Sequence, residues 1–152
     1  MTEINGLRLA YRGFVAGLAG GYVWAAAAML GALLAGGDPL APLHLLGGAG
    51  RDGLLAGIGL LQVGAAGIGM TFAYFFARFF TMRRTLAVAG PCFSVLAWLL
   101  VAQLVGSRLG HDLAALGMQV APLAASVLYG VMLGAAVPTR VDVLRHASAS
   151  AS

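Results

Sequence analysis

Charged side chains are confined to a few short segments of this 152-residue chain. Its nine basic and five acidic residues leave four windows of 23 to 27 residues without a charge, at 13–37, 53–77, 85–107 and 113–139. A helix rises about 1.5 Å per residue, so roughly 20 apolar residues cross the ~30 Å hydrocarbon core of a bilayer. Each window is therefore long enough to span a membrane.

The predicted fold class is an all-α integral membrane protein with four antiparallel transmembrane helices. We expect these helices at about 11–36, 53–80, 85–106 and 113–137. Only 9% of the residues are charged and 61% are hydrophobic, whereas soluble domains carry about a quarter charged residues. Four spans leave room for short loops only, which predicts one transmembrane domain over 1–145 and a low-complexity C-terminal tail over 146–152.

The arginines predict the orientation of the spans. The chain has no lysine, and with four spans seven of its nine arginines fall on one side of the membrane: Arg8, Arg12, Arg78, Arg83, Arg84, Arg140 and Arg145. Cytoplasmic loops carry an excess of basic residues, so both termini are predicted to be cytoplasmic. Arginine without lysine, with abundant Ala, Gly and Leu, is typical of a GC-rich bacterial genome and indicates a bacterial cytoplasmic (inner) membrane. The net charge of +4 is explained by this topology signal, and no nucleic-acid partner is predicted.

The loops differ in length. The loop around Thr81–Arg84 and the loop 106–112 are tight, so the helices that each one joins are expected to be antiparallel neighbours. The first loop is longer and contains Pro39 and Pro42, followed by leucines and glycines. Proline suits a first helical turn, so this loop is expected to hold a short interfacial helix at about 41–47.

Small residues recur at steps of three and four, which places them on one helix face. In membranes such faces allow the backbones of two helices to approach closely. They are candidates either for packing inside the bundle or for contact with another subunit. The residues are Gly13, Gly17, Gly21, Ala25 and Ala28 in the first span, Gly59, Gln62, Ala66 and Gly69 in the second, and Gly130 and Gly134 in the fourth.

Phenylalanines form a second stripe at the cytoplasmic end of the second span. Their spacing predicts that all five share one side of the helix, at Phe72, Phe75, Phe76, Phe79 and Phe80. One interpretation is that they face lipid or pack between helices near the interface. The other is an apolar wall against a partner helix or against the tail of a lipid, quinone or pigment.

Two prolines fall inside predicted spans. Pro91 is expected to bend the third span, with the Ser94 hydroxyl satisfying the freed carbonyl, and Pro122 lies in the fourth. The bends serve either the shape of the bundle or a pore, and we favour shape.

The windows contain no ionisable acid or base, although such residues usually mark ion and proton pathways. Gln62 is the deepest amide and is expected to bond a neighbouring helix. His44 and His111 both lie on the predicted outer side and are weak candidates for a cofactor ligand, interfacial solvation being the alternative. No catalytic residue, metal site or cofactor is predicted.

These features favour a non-catalytic accessory or structural subunit of a larger membrane complex, respiratory or photosynthetic in kind. Its partners would be other integral membrane subunits and lipids, bound through the small-residue and Phe faces. The alternative is a small homo-oligomeric channel or transporter for a neutral or small solute, with Gln62 and Thr71 along the path.

Overall fold

The computed structural model describes residues 6–76, 79–109 and 119–139, without the side chains of 105–109. Over these residues the chain forms five helices: α1 (Gly6–Leu34), α2 (Ala41–Gly47), α3 (Gly50–Phe76), α4 (Arg83–Leu109) and α5 (Val120–Ala136). In three of them, α1, α3 and α4, the described residues are long and apolar enough to cross a membrane, and α5 is apolar but shorter. The prediction of a helical membrane protein is confirmed at this level.

Helix α5 is shorter than the predicted fourth span. Its 17 residues extend over about 25 Å at the usual rise per residue. Gln119 has an extended backbone, so the helix begins at Val120, and residues 113–118 lie outside the described part of the chain. Pro122 consequently lies in the first turn of α5, where its missing N–H removes no helical hydrogen bond.

Helices α1 and α3 pack closely through glycines. A Cβ added at Gly13 or Gly17 would come within 3.0 Å of the α3 backbone, so no larger residue fits either position without moving a helix. The contacts run antiparallel, with Gly13 against Gly69, Gly17 against Ala65, and Gly21 against Gln62. This is the close approach through small residues that stabilises helix pairs in membranes.

Helices α4 and α5 form a second pair of the same kind. Gly90 lies against Gly130, and a Cβ added at Gly130 would be 2.5 Å from the Gly90 carbonyl oxygen. Gly134 lies against the carbonyl of Leu86, one turn further along. Pro91 does not keep these helices apart, because it lies against Gly130.

The two pairs meet through α1 and α5, and α3 barely contacts α4. The helices that the tight 81–84 loop joins therefore contact each other through side chains, without the close backbone approach of the other two pairs. Glycine faces draw α3 onto α1 and α4 onto α5, whereas the rings of Phe72 and Phe93 lie between α3 and α4, with centroids 5.4 Å apart. Bulky side chains hold two helices further apart than glycines do.

Helix α2 covers the residues predicted for the short helix of the first loop. The Asp38 carboxylate accepts a hydrogen bond from the Leu40 N–H at 2.9 Å, just ahead of the helix. Gly48 ends it with a φ of 96°, a conformation that favours glycine. The helix packs on the first turns of α3, where the Leu43 carbonyl lies against Gly57.

Candidate functional site

The described interior contains a network of polar side chains centred on α5. The Trp24 indole N–H donates to the Ser126 hydroxyl at 3.0 Å, which joins α1 to α5. The Ser94 hydroxyl donates to the Ser126 carbonyl, which joins α4 to α5. The Tyr129 hydroxyl donates to the Ala65 carbonyl at 2.6 Å, which joins α3 to α5. One turn of α5 is thus tied to all three long helices.

Ser94 has a different partner from the one expected. The sequence predicted that its hydroxyl would satisfy the carbonyl freed by Pro91 within α4, but it bonds to α5. The Ser126 hydroxyl, which accepts from Trp24, also donates to the Pro122 carbonyl at 2.8 Å. Both hydroxyls are therefore satisfied, as burial in an apolar medium requires.

Glycine also makes room for the network. A Cβ at Gly20 would lie 2.6 Å from the Tyr129 ring, so only glycine lets the tyrosine cross between α1 and α3. Next to it the rings of Trp24 and Trp98 are tilted against each other, with centroids 4.9 Å apart. The site is thus filled with aromatic rings and small residues.

Two buried polar atoms have no hydrogen-bond partner among the described residues: Gln62 Oε1 and Trp98 Nε1. Gln62 does lie against a neighbouring helix, as a Cβ at Gly21 would be 2.8 Å from its oxygen. The Oε1 atom, however, forms no hydrogen bond to that helix among the described residues. Thr71, the other residue expected along a solute path, is exposed, and its hydroxyl donates to the Gly67 carbonyl of its own helix.

The five phenylalanines do not share one side. Phe72 is fully buried and stacks on Phe76, and Phe76 stacks on Phe80, with centroids 5.1 Å and 5.8 Å apart. Phe75 and Phe79 are exposed. Phe79 and Phe80 lie outside any helix, so the helical spacing that predicted a single stripe does not hold for them.

The small residues of the first span lie in the interior. Gly13, Gly17 and Gly21 are buried against α3, Ala28 is buried and Ala25 is half-buried. Of those in the second span, Ala66 and Gly69 are buried, but Gly59 is exposed and a Cβ there would meet nothing within 4 Å. At about 100° per residue, Gly59 lies about 80° around α3 from Gly69, which places it at the edge of the contact with α1.

The structure describes only one of the two candidate histidines. His44 is half-buried on α2. His111 lies outside the described residues. Among the residues that are described, no three His, Cys, Asp or Glu side chains are grouped as a metal ion requires.

Sequence reasoning missed the network itself. A signal was present, because Ser126 and Tyr129 are three residues apart and Gly130 follows, which places two hydroxyls and a close-approach residue on one face of α5. Their partners on the other helices carry no such spacing. The arrangement joins helices through neutral donors and acceptors and contains no acid–base pair among its described members.

Comparisons of the chain with models of protein families, with curated proteins and with solved structures found no significant match.

Proposed function

We propose that this chain is a four-span, non-catalytic accessory subunit of a larger complex in a bacterial cytoplasmic membrane. Its partner would bind the outer face of α3, which we define as Gly59, Leu60, Val63, Gly64 and Gly67. The proposal rests on one observation, namely that a Cβ added at Gly59, Gly64 or Gly67 would meet nothing within 4 Å.

Glycine on a lipid-facing surface has no evident benefit. It is the least favourable residue of a helix interior after proline, by about 1 kcal/mol relative to alanine in soluble hosts. Several other glycines in the helix interiors lie where another backbone approaches, as at Gly17 and Gly130. The three glycines of the outer face fall within about 140° of the helix circumference, at about 100° per residue. A helix from another subunit would use them as α1 uses Gly69.

The polar network supports a structural role for the interior. Its hydroxyl and indole groups are engaged in joining helices, at Trp24, Ser94, Ser126 and Tyr129. Interhelical hydrogen bonds of this type contribute about 0.6–2 kcal/mol each. These hydrogen bonds favour a rigid interior, so we assign the binding of partners to the surface of the bundle.

The arginine distribution supports the orientation. Arg8 and Arg12 lie in the first two turns of α1, and Arg83 and Arg84 begin α4. With four spans these ends lie on one side, which we assign to the cytoplasm by the positive-inside rule.

The experiment compares two leucine substitutions at equal depth. Gly64 and Ala26 are both exposed and lie near the middle of their charge-free windows. Gly64→Leu fills the outer face of α3, and Ala26→Leu adds the same side chain to the exposed side of α1. Each variant is purified from native membranes in a mild detergent, and co-purifying subunits are identified by mass spectrometry.

We expect wild-type protein and Ala26→Leu to retain the same heterologous membrane subunits, and Gly64→Leu to lose them while remaining folded. A wild-type chain that purifies alone or only as a homo-oligomer contradicts the proposal. Retention of the partners by Gly64→Leu contradicts the assignment of the binding face.

The unpartnered polar atoms of Gln62 and Trp98 favour one alternative, a path for a small neutral solute through the bundle. A hydrogen-bond donor on such a solute would satisfy Gln62 Oε1, and an acceptor would satisfy Trp98 Nε1. In liposomes containing the purified protein, this alternative requires solute flux that Gln62→Leu abolishes. Equal flux through Gln62→Leu and wild type would exclude Gln62 from the path.

A further inference from the structure

A groove of about 580 Å³ lies on the outside of the bundle at the start of α1. Its apolar lining includes Leu7 and Phe14 of α1 and Met70 of α3. Met70 reaches this place because Gly13 and Gly69 let the two helices meet here. The groove therefore forms where the close glycine contact brings side chains of α1 and α3 together.

Two arginines stand beside the apolar strip. Arg8 and Arg12 both line the groove and are exposed, and their spacing of four residues puts them one above the other on α1. Tyr11 lies between them in sequence and is 67% exposed. The described lining contains no acidic residue. The groove thus combines two positive charges with an apolar lining.

This combination matches one class of ligand. Guanidinium groups bind phosphate oxygens with directed, charge-assisted hydrogen bonds. A free phosphate would make no contact with the apolar lining, and a zwitterionic lipid, whose own cation balances its phosphate, would leave the net positive charge of the two arginines uncompensated within the described lining. An anionic phospholipid carries both parts, and basic pockets at the cytoplasmic ends of membrane helices bind such headgroups.

We propose that this groove binds one anionic phospholipid of the cytoplasmic leaflet. Its phosphate lies between Arg8 and Arg12, and an acyl chain runs along Leu7, Phe14 and Met70. The volume is within the range of pockets that enclose small ligands, so it holds the headgroup and the first part of a chain. The proposal rests on the proposed orientation but not on a partner subunit.

The test uses the full chain in a detergent that preserves bound lipid. Dioleoyl phosphatidylglycerol or dioleoyl phosphatidylcholine is titrated in, and native mass spectrometry counts the lipid molecules retained. Arg8→Gln/Arg12→Gln removes the two charges of the groove. Arg83→Gln/Arg84→Gln is the matched control, because it removes two arginines from the same predicted side of the membrane. Circular dichroism checks that both variants are folded.

We expect wild type and the Arg83/Arg84 variant to retain one phosphatidylglycerol in preference to phosphatidylcholine. The Arg8/Arg12 variant should bind it roughly tenfold or more weakly. Arg8→Lys/Arg12→Lys should restore part of the affinity, since charge remains and the paired donor geometry is lost.

Four results would overturn the proposal. Equal loss in both glutamine variants would mean a diffuse basic surface, and no loss in either would remove the arginines from the site. Equal retention of phosphatidylcholine would mean that the groove does not recognise the net charge of the headgroup. Displacement of the lipid by inorganic phosphate at equal concentration would mean a phosphate site. Because the isolated protein is measured, none of these results bears on whether partner subunits co-purify.

Discussion

The contact between α1 and α3 makes a quantitative prediction about two glycines of one helix. Gly69 and Gly67 are two residues apart on α3, about 160° around the helix from each other. A Cβ at Gly69 would lie 2.8 Å from the Gly17 Cα, whereas a Cβ at Gly67 would meet nothing within 4 Å. Gly69→Ala and Gly67→Ala thus add the same methyl group to opposite sides of α3.

The expected magnitude follows from the spacing. Ordinary Cβ contacts begin at 3.4 Å, so Gly69→Ala must push α1 and α3 apart by at least about 0.6 Å. Overpacking of this kind costs about 1–3 kcal/mol. Both substitutions gain the same helix propensity, up to ~1 kcal/mol, so this contribution cancels in the comparison. We expect Gly69→Ala to be less stable than Gly67→Ala by about 1–3 kcal/mol, or about 5- to 150-fold in the unfolding equilibrium.

The measurement is reversible unfolding of the purified protein in mixed micelles, with increasing SDS and detection by far-UV circular dichroism. Size-exclusion chromatography establishes that both variants have the same oligomeric state. Equal stabilities would mean that the methyl group at Gly69 is accommodated and that the helices are not in close contact. A larger loss in Gly67→Ala would mean that the opposite face of α3 is the buried one.

The same unfolding measurement tests three further expectations. Trp24→Phe should lower the free energy of unfolding by about 0.6–2 kcal/mol more than Trp98→Phe, because both substitutions shrink a buried ring equally but only Trp24 loses an interhelical hydrogen bond; the opposite order would contradict the network. Tyr129→Phe should cost about 0.5–1.5 kcal/mol through loss of its hydroxyl bond to α3, and wild-type stability in this variant would show that the bond contributes nothing. Phe72→Ala should cost about 3–5 kcal/mol because Phe72 is fully buried, whereas Phe79→Ala, at 76% exposed, should leave the free energy within about 0.5 kcal/mol of wild type; similar losses would mean that the two rings are equally buried.

The existence of the helices was predictable because each is governed by local chemistry. Charge-free windows require helix in a membrane, and the short helix after Pro39 follows from the turn preferences of proline and glycine. The start of α5 was not predictable from the window. Hydropathy carries no information on backbone conformation. The backbone of Gln119 is extended, so α5 begins inside a segment whose sequence is apolar throughout.

The pairing of the helices was not predictable from loop lengths. A tight loop restricts how far apart two helix ends lie, but it supplies no contact along the helices. The free energy of packing comes from the faces, and the faces of α3 and α4 that approach each other carry Phe72 and Phe93. Each of these helices gains closer contact elsewhere, through Gly69 and Gly90 respectively. Face complementarity therefore outweighed proximity in sequence.

Glycine spacing alone leaves one question open, namely whether a small-residue face binds its own bundle or another subunit, because both contacts use the same chemistry. The structure separates the two cases by what each Cβ would meet. Gly13 and Gly17 meet the backbone of α3, so the most regular glycine repeat of the chain is occupied internally. No strict four-residue repeat relates Gly59, Gly64 and Gly67, and a Cβ added at any of them would meet nothing within 4 Å. We therefore expect an external partner at the less regular glycines of α3. Without such a contact, α3 would contain three residues of low helix propensity and no interaction to compensate for their cost.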